Sequence, residues 1–176
     1  MIKLITYLLQ SIIIYIFFIF GKIIGISLSR KFFSYLFSKI GPIFKSKKVI
    51  EKNLNIFSKN LSDIEKKNII LNMWKNYGKT FIEYIFLNNF KKDNSHIQID
   101  GIDNLQKILK LEKPVIFVSG HFANYELMSM EIIKKNIKLA TIYRPLNNYF
   151  LNPFMEILRR KFVCKNQIKK GMSGVR

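Results

Sequence analysis

Acid, cysteine, histidine and proline are all scarce in this chain of 176 residues: 11 Asp+Glu, one Cys, two His and four Pro. The single cysteine, Cys164, excludes an intramolecular disulfide framework and a cysteine-rich zinc site. That usage fits the cytosolic side of a membrane. The glycines build no phosphate-cradling loop, and neither internal repeats nor low-complexity tracts occur. Acid is outnumbered by 30 Lys+Arg, for a net charge of +19 and an isoelectric point near 10.0. Yet 49% of the residues are hydrophobic and 14% aromatic, too apolar for a disordered basic tail. The mean hydropathy of +0.09 therefore averages a greasy stretch with a basic remainder. The length suits one domain.

The greasy stretch comes first. Leu4 to Phe20 carries no charge, and only Thr6, Gln10 and Ser11 are clearly polar. After Gly21 and Lys22 the apolar character resumes through Ile26, so Leu4–Ile26 reaches the ~20 residues that a spanning helix needs. A buried core helix is the other reading. Against it, Ile12–Phe20 is apolar all round, and the first segment of a small domain has little to bury that against. No small-x-small cleavage site follows, which argues against a signal peptide. Only Lys3 and the amino terminus precede the segment, whereas Arg30, Lys31, Lys39, Lys45, Lys47 and Lys48 follow it before any acid. The positive-inside rule then puts the body on the cytoplasmic side of the membrane. Over 26–40, Ile26, Phe33, Leu36, Phe37 and Ile40 recur at helical spacing opposite Ser27, Lys31, Ser34 and Ser38. This suits a helix lying in the membrane interface, and equally an amphipathic core helix. Gly41-Pro42 is expected to end it.

Further along, Ser62 and Glu65 form a capping-box signature ahead of a stripe at Ile70, Trp74, Tyr77, Phe81 and Ile85, read as packing. From about residue 97 the pattern alternates. Ile97–Asp100 reads as a strand, Asn104–Lys110 as a short helix and Pro114–Ser119 (PVIFVS) as a buried parallel strand. Phe122–Asn136 then reads as helix, Lys138–Tyr143 as strand and Tyr149–Phe162 as helix. That order predicts an α/β sheet built by right-handed crossovers, with about three strands.

Two histidines stand in contrasting settings. His96 lies in a polar stretch and is expected to be a solvated loop residue. His121 follows PVIFVS directly, beyond the carboxyl end of the expected strand, where open α/β sheets bind ligands. Glu126 comes five residues later, some 140° round a continuous helix, so the two side chains meet only if His121 sits in the loop. A carboxylate on one imidazole nitrogen would leave the other free as a general base on a hydroxyl. Spacing alone is satisfied more often by a helix cap and a surface charge. Arg144, after the next strand, suits a phosphate or carboxylate, or a structural ion pair. Ser119 lacks a G-x-S-x-G elbow and is rejected as a nucleophile. One His-x4-Glu pair and a distant Cys164 make no metal site.

The string Gly120-His121-Phe122-Ala123-Asn124-Tyr125-Glu126 resembles the GHFGNWE block of the bacterial lipid A biosynthesis acyltransferases of lauroyl/myristoyl type, with their HX4(D/E) motif. Ile142-Tyr143-Arg144-Pro145-Leu146-Asn147-Asn148 resembles the YRP block that follows in that family. The anchor, the Trp74–Glu83 helix and the closing Gly171–Arg176 fall in family order. Ala123 stands where the family has glycine and Tyr125 where it has tryptophan.

The resemblance implies an α/β fold: an N-terminal membrane anchor and interfacial helices followed by a glycerolipid-acyltransferase-like sheet, incomplete because the chain corresponds to little over half of a family member, truncated at the C-terminus. The regions are then 1–26, transmembrane anchor; 27–60, interfacial amphipathic helices; and 61–176, the N-terminal part of the acyltransferase domain. It implies transfer of a fatty acyl chain from acyl carrier protein to a hydroxyl of an anionic lipid A precursor at the bacterial inner membrane. No cofactor or metal is implied. His121 and Glu126 take the catalytic roles, base and orienting partner, and Arg144 binds substrate. Ile157–Arg176, with seven Lys/Arg and no acid, would attract such anionic partners. The alternative is a non-catalytic membrane-tethered protein whose basic surface binds anionic lipid or an acidic partner. Scattered charge and the lack of a nucleic-acid motif argue against nucleic acid.

Overall fold

Why the first helix does not run straight is a matter of one glycine. Apolar residues carry helix α1 over Ile2–Phe44, but Gly25 sits at φ 77°, ψ 167°, a backbone conformation that glycine takes at little cost because it lacks Cβ and that other residues rarely adopt. Beyond Gly25 the chain doubles back. Phe17 meets Phe33 (ring centroids 5.5 Å) and Phe20 meets Phe32 (5.2 Å), whereas sixteen residues of straight helix span about 24 Å. Ser29 Oγ closes the reversal by donating to the Gly21 carbonyl at 2.7 Å. The computed structural model describes residues 2–44, 47–92, 97–110 and 113–171. His96 and most of the closing segment, Met172–Arg176, both singled out above, lie outside the described residues.

The chain divides into two compact units, Ile16–Tyr84, and Met1–Tyr15 with Ile85–Arg176. In the first of these, the returning half of α1 packs with α3 (Asp63–Glu83). Ser62 caps α3 as its sequence signature requires: Ser62 Oγ accepts from Glu65 N (3.3 Å), and Glu65 Oε2 accepts from Ser62 N (2.8 Å). Phe33 is fully buried, and Phe81 packs against Phe18, Phe33 and Phe37. Gly78 allows the closest approach, since a Cβ there would lie 2.1 Å from the Phe33 carbonyl oxygen. Arg30 Nε donates to Glu83 Oε1 (2.7 Å). The helix continues past Gly41-Pro42 to Phe44, two residues beyond the expected stop, and Ser34, expected opposite the apolar face, is buried. Helix α2 (Lys47–Phe57) follows.

The other unit holds α4 (Leu87–Lys92), α5 (Ile102–Leu109), α6 (Glu126–Lys134), β1 (Ala140–Tyr143), α7 (Asn152–Leu158) with a π-helical turn Arg159–Val163, and β2 (Asn166–Lys169). Strands β1 and β2 are parallel, with Ala140 opposite Asn166 and Tyr143 opposite Lys169, and α7 forms the crossover between them. Leu87, Phe90, Met130, Val163 and Cys164 make the core. The chain is mostly helical with this two-stranded sheet, a smaller sheet than expected.

The sheet departs from the sequence reading in three places. Pro114–Ser119 is not a buried strand: it lies outside any strand, with Ile116 89% and Val118 91% exposed. Ile97–Asp100 is likewise outside any strand. A central parallel strand needs a ladder on each edge and cover on each face. Among the described residues the only strands are β1 and β2, and they pair with each other. Conversely β2 was missed, because Asn166–Lys169 lies in a run read as basic surface.

The first turns of α1 belong to this second unit. The Asn148 side chain holds them: its Nδ2 donates to the Tyr7 carbonyl (2.9 Å), and its Oδ1 lies 3.0 Å from Ser11 Oγ. Tyr15 OH donates to the Phe150 carbonyl (2.8 Å), and its ring meets Phe154 edge-on.

Candidate active site

Two loops of this unit carry the residues expected to do chemistry. The first runs from Gly120 to Tyr125. Ala123 adopts φ 46°, a left-handed conformation that interrupts any helix. Helix α6 therefore begins at Glu126, four residues later than expected, and His121 stands in the loop, as a His121–Glu126 encounter requires.

The encounter itself is replaced by others. Glu126 is buried, and its Oε1 accepts from Arg159 Nε at 2.7 Å; Arg159 is buried as well. Its position in the first turn of α6 also favours a negative charge. His121 is exposed, with its ring against Tyr125 (centroids 4.3 Å, 59° between planes). It makes no hydrogen bond to the Glu126 carboxylate. Arg159 Nη2 approaches Tyr125 OH at 3.4 Å, so Tyr125 stands between the imidazole and the buried ion pair.

The second loop follows β1. Arg144 is exposed at the carboxyl end of the strand, and among the described residues it forms no ion pair. What sits beneath it is better tied. Glu156 Oε1 accepts from Tyr143 OH (2.6 Å) and Asn152 Nδ2 (2.9 Å), and lies 3.5 Å from Lys169 Nζ. Asn152 Oδ1 accepts from Leu146 N (2.8 Å), which fixes the turn after Pro145. Burial, followed by the bond to Glu156, pushes the Tyr143 hydroxyl up to about 12. The Tyr143 hydroxyl in turn holds the Glu156 carboxyl below its ordinary range, with Asn152 and Lys169 adding to the effect.

Arg159, Asn152 and Glu156 were not found by sequence reasoning. A signal existed for Arg159: it continues the buried stripe Leu151, Met155, Arg159 at four-residue steps. The surrounding lysines and arginines hid it in a run taken for surface. Ser119, rejected as a nucleophile, is exposed and donates to the Gly120 carbonyl (3.2 Å).

Comparison with known proteins gives one result. The family model described as bacterial lipid A biosynthesis acyltransferase matches residues 2–172. No curated protein and no solved structure gives a match.

Proposed function

The chain belongs to the bacterial lipid A biosynthesis acyltransferase family, and from that premise we propose that it transfers a fatty acyl chain from the thioester of acyl carrier protein to a hydroxyl of a lipid A precursor. An acyltransferase role in lipid A biosynthesis follows from the family; donor, residues and location are our reading. The observation that carries it is the match across residues 2–172 together with His121 held in a loop beside Tyr125, at the start of α6.

In this reading His121 is the general base. It takes the proton of the acceptor hydroxyl as that oxygen attacks the thioester carbonyl carbon. A carbon–oxygen bond forms, the carbon–sulfur bond breaks, and the proton passes to the departing thiolate. Glu126 supplies negative charge beneath the loop, fixed by Arg159 and coupled to the imidazole through Tyr125. Arg144 binds a phosphate of the precursor, as an exposed guanidinium with no ion-pair partner among the described residues can. The exposed apolar side of α1 embeds in the inner membrane, and the lysines and arginines after residue 29 keep the body on the cytoplasmic side. Acyl carrier protein is expected to meet the basic stretch Ile157–Arg176.

The test is incorporation of labelled acyl chains into a lipid A precursor by the native chain and by His121→Ala. Loss of a general base lowers the rate by about 10²–10⁴-fold, and equal rates would sink the assignment. The His121 imidazole, unbonded to Glu126, favours a second reading, a non-catalytic membrane-tethered protein that binds anionic lipid. No incorporation by either chain, with vesicle binding retained, would support it.

A further inference from the structure

Helix α2 carries a second kind of surface. Its inner side packs in its own unit, where Ile50 is buried and Leu54 half-buried. On its outer side Val49 and Ile56, seven residues apart, lie within about 20° of each other round the helix. Lys52 lies roughly 40–60° and Lys48 roughly 80–100° to one side of them, and Lys59 follows in the turn just past the helix end. All five are exposed. At the end of the helix Phe57 is 81% exposed, and Ile64, in the first turn of α3, is 72% exposed. Lys48, Glu51, Lys52, Asn55, Ile56 and Lys59 line a shallow groove along this side, so one carboxylate stands among three lysines. Among the described residues none of the three lysines forms an ion pair.

We propose that the outer side of α2, with Phe57 and Ile64, is a docking surface for an anionic lipid bilayer. It rests on the membrane reading above and adds to it a headgroup-binding site separate from the apolar helix. Charge selects the occupant: residues 45–59 hold five lysines and one acid, so a neutral or basic protein face would leave them uncompensated. Apolar side chains flanked on one side by lysines are the arrangement of a helix lying in the headgroup region, with Ile56 and Phe57 among the acyl chains and the ammonium groups at phosphate level. Each lysine near such a surface contributes about fivefold to partitioning, so the three together contribute on the order of a hundredfold.

The test uses the full chain with Cys164→Ser and an environment-sensitive fluorophore on a single new cysteine, at Phe57→Cys or, separately, at Ile13→Cys in α1. Both are mixed with vesicles of pure phosphatidylcholine or with 30% phosphatidylglycerol. The label at 57 should shift to the blue and be quenched by doxyl lipids only on the anionic vesicles. That response should fall on the order of a hundredfold in the K48Q/K52Q/K59Q variant, whose exposed positions leave the helical circular dichroism unchanged. A label at 57 that stays in water on anionic vesicles, or enters both vesicle types equally, overturns the proposal. So does one that is shielded without lipid in a concentration-dependent way, which would mark a second copy as the occupant. The label at 13 reports the apolar helix alone, so failure at 57 with success at 13 refutes this site and leaves the membrane reading standing.

Discussion

Removing Arg159 should be among the most damaging single changes in the unit that holds the candidate site. The Arg159 and Glu126 side chains are 11% and 8% exposed, and Nε lies 2.7 Å from Oε1. Arg159→Met keeps the length and apolar contact of the side chain but leaves the Glu126 carboxylate with no guanidinium beside it. Stranding a buried charge costs about 3–5 kcal/mol. Slight solvent access and the neighbouring Tyr125 hydroxyl favour the lower end, so about 3 kcal/mol is expected. Arg159→Met/Glu126→Leu should recover to within about 1 kcal/mol of wild type, because replacing both members of a buried pair by apolar groups is often neutral. The assay is urea unfolding in mild detergent, followed by far-ultraviolet circular dichroism, for wild type, both single variants and the double. An unchanged slope would show that stability rather than unfolded-state compactness has moved. If Arg159→Met costs under about 0.5 kcal/mol, or if the two single effects add in the double, the pair is not coupled and the argument fails.

Other expectations follow from single positions. Ala123→Gly relieves a left-handed residue (φ 46°) and should raise stability by about 1 kcal/mol, less the extra entropy of an unfolded glycine; a fall in unfolding midpoint would refute it. Gly78→Ala drives a Cβ to 2.1 Å from a backbone oxygen and should cost about 1–3 kcal/mol, read as a lower thermal midpoint. Glu156 is held below its ordinary carboxyl range in the folded state. Its stabilisation is therefore present above that range and lost as pH falls through the lowered folded value. Glu156→Gln should remove this acid limb from the stability profile, and an unchanged limb would contradict the assignment.

Legibility from sequence followed the range of the forces involved. The capping box at Ser62 and Glu65 is local, three residues apart, and came out as read. The break in α1 is local too, since Gly25 takes φ 77° without strain, yet the spanning segment Leu4–Ile26 was read straight through it. Strand pairing is not local. Pro114–Ser119 has the composition of a buried strand, but composition says nothing about which neighbours arrive to pair with it, and none of the described residues does. β2 shows the reverse: Asn166-Gln167-Ile168-Lys169 is a poor strand by composition, and it is made one by the parallel register with β1. In the candidate site, the spacing stated only the condition, His121 in a loop and Glu126 in a helix, and by itself pointed more to a cap and a surface charge, whereas Glu126 is buried. The partner of Glu126 was not legible, because Arg159 is 33 residues away and approaches through the crossover rather than along the chain.

The polar residues of the greasy helix find their reason in the same unit. A serine in an apolar run is costly to bury unless its hydroxyl is bonded. Ser11 Oγ lies 2.6 Å from the Tyr7 carbonyl and 3.0 Å from Asn148 Oδ1, and its one proton serves one of them at a time. Asn148 Oδ1 also accepts from the backbone N–H groups of Phe150 and Leu151, at 3.0 and 3.2 Å, while Nδ2 holds the Tyr7 carbonyl. One amide thus ties the first turns of α1 to the loop that begins at Arg144 and ends at α7. Asn152 and Glu156 hold that loop from the other side, through Leu146 N and Tyr143 OH. Arg144 is exposed, yet the backbone carrying it is fixed at both ends by buried or half-buried amides and a carboxylate. In the role proposed for Arg144 such fixing favours binding, because the entropy of ordering its loop is lost on folding rather than on binding.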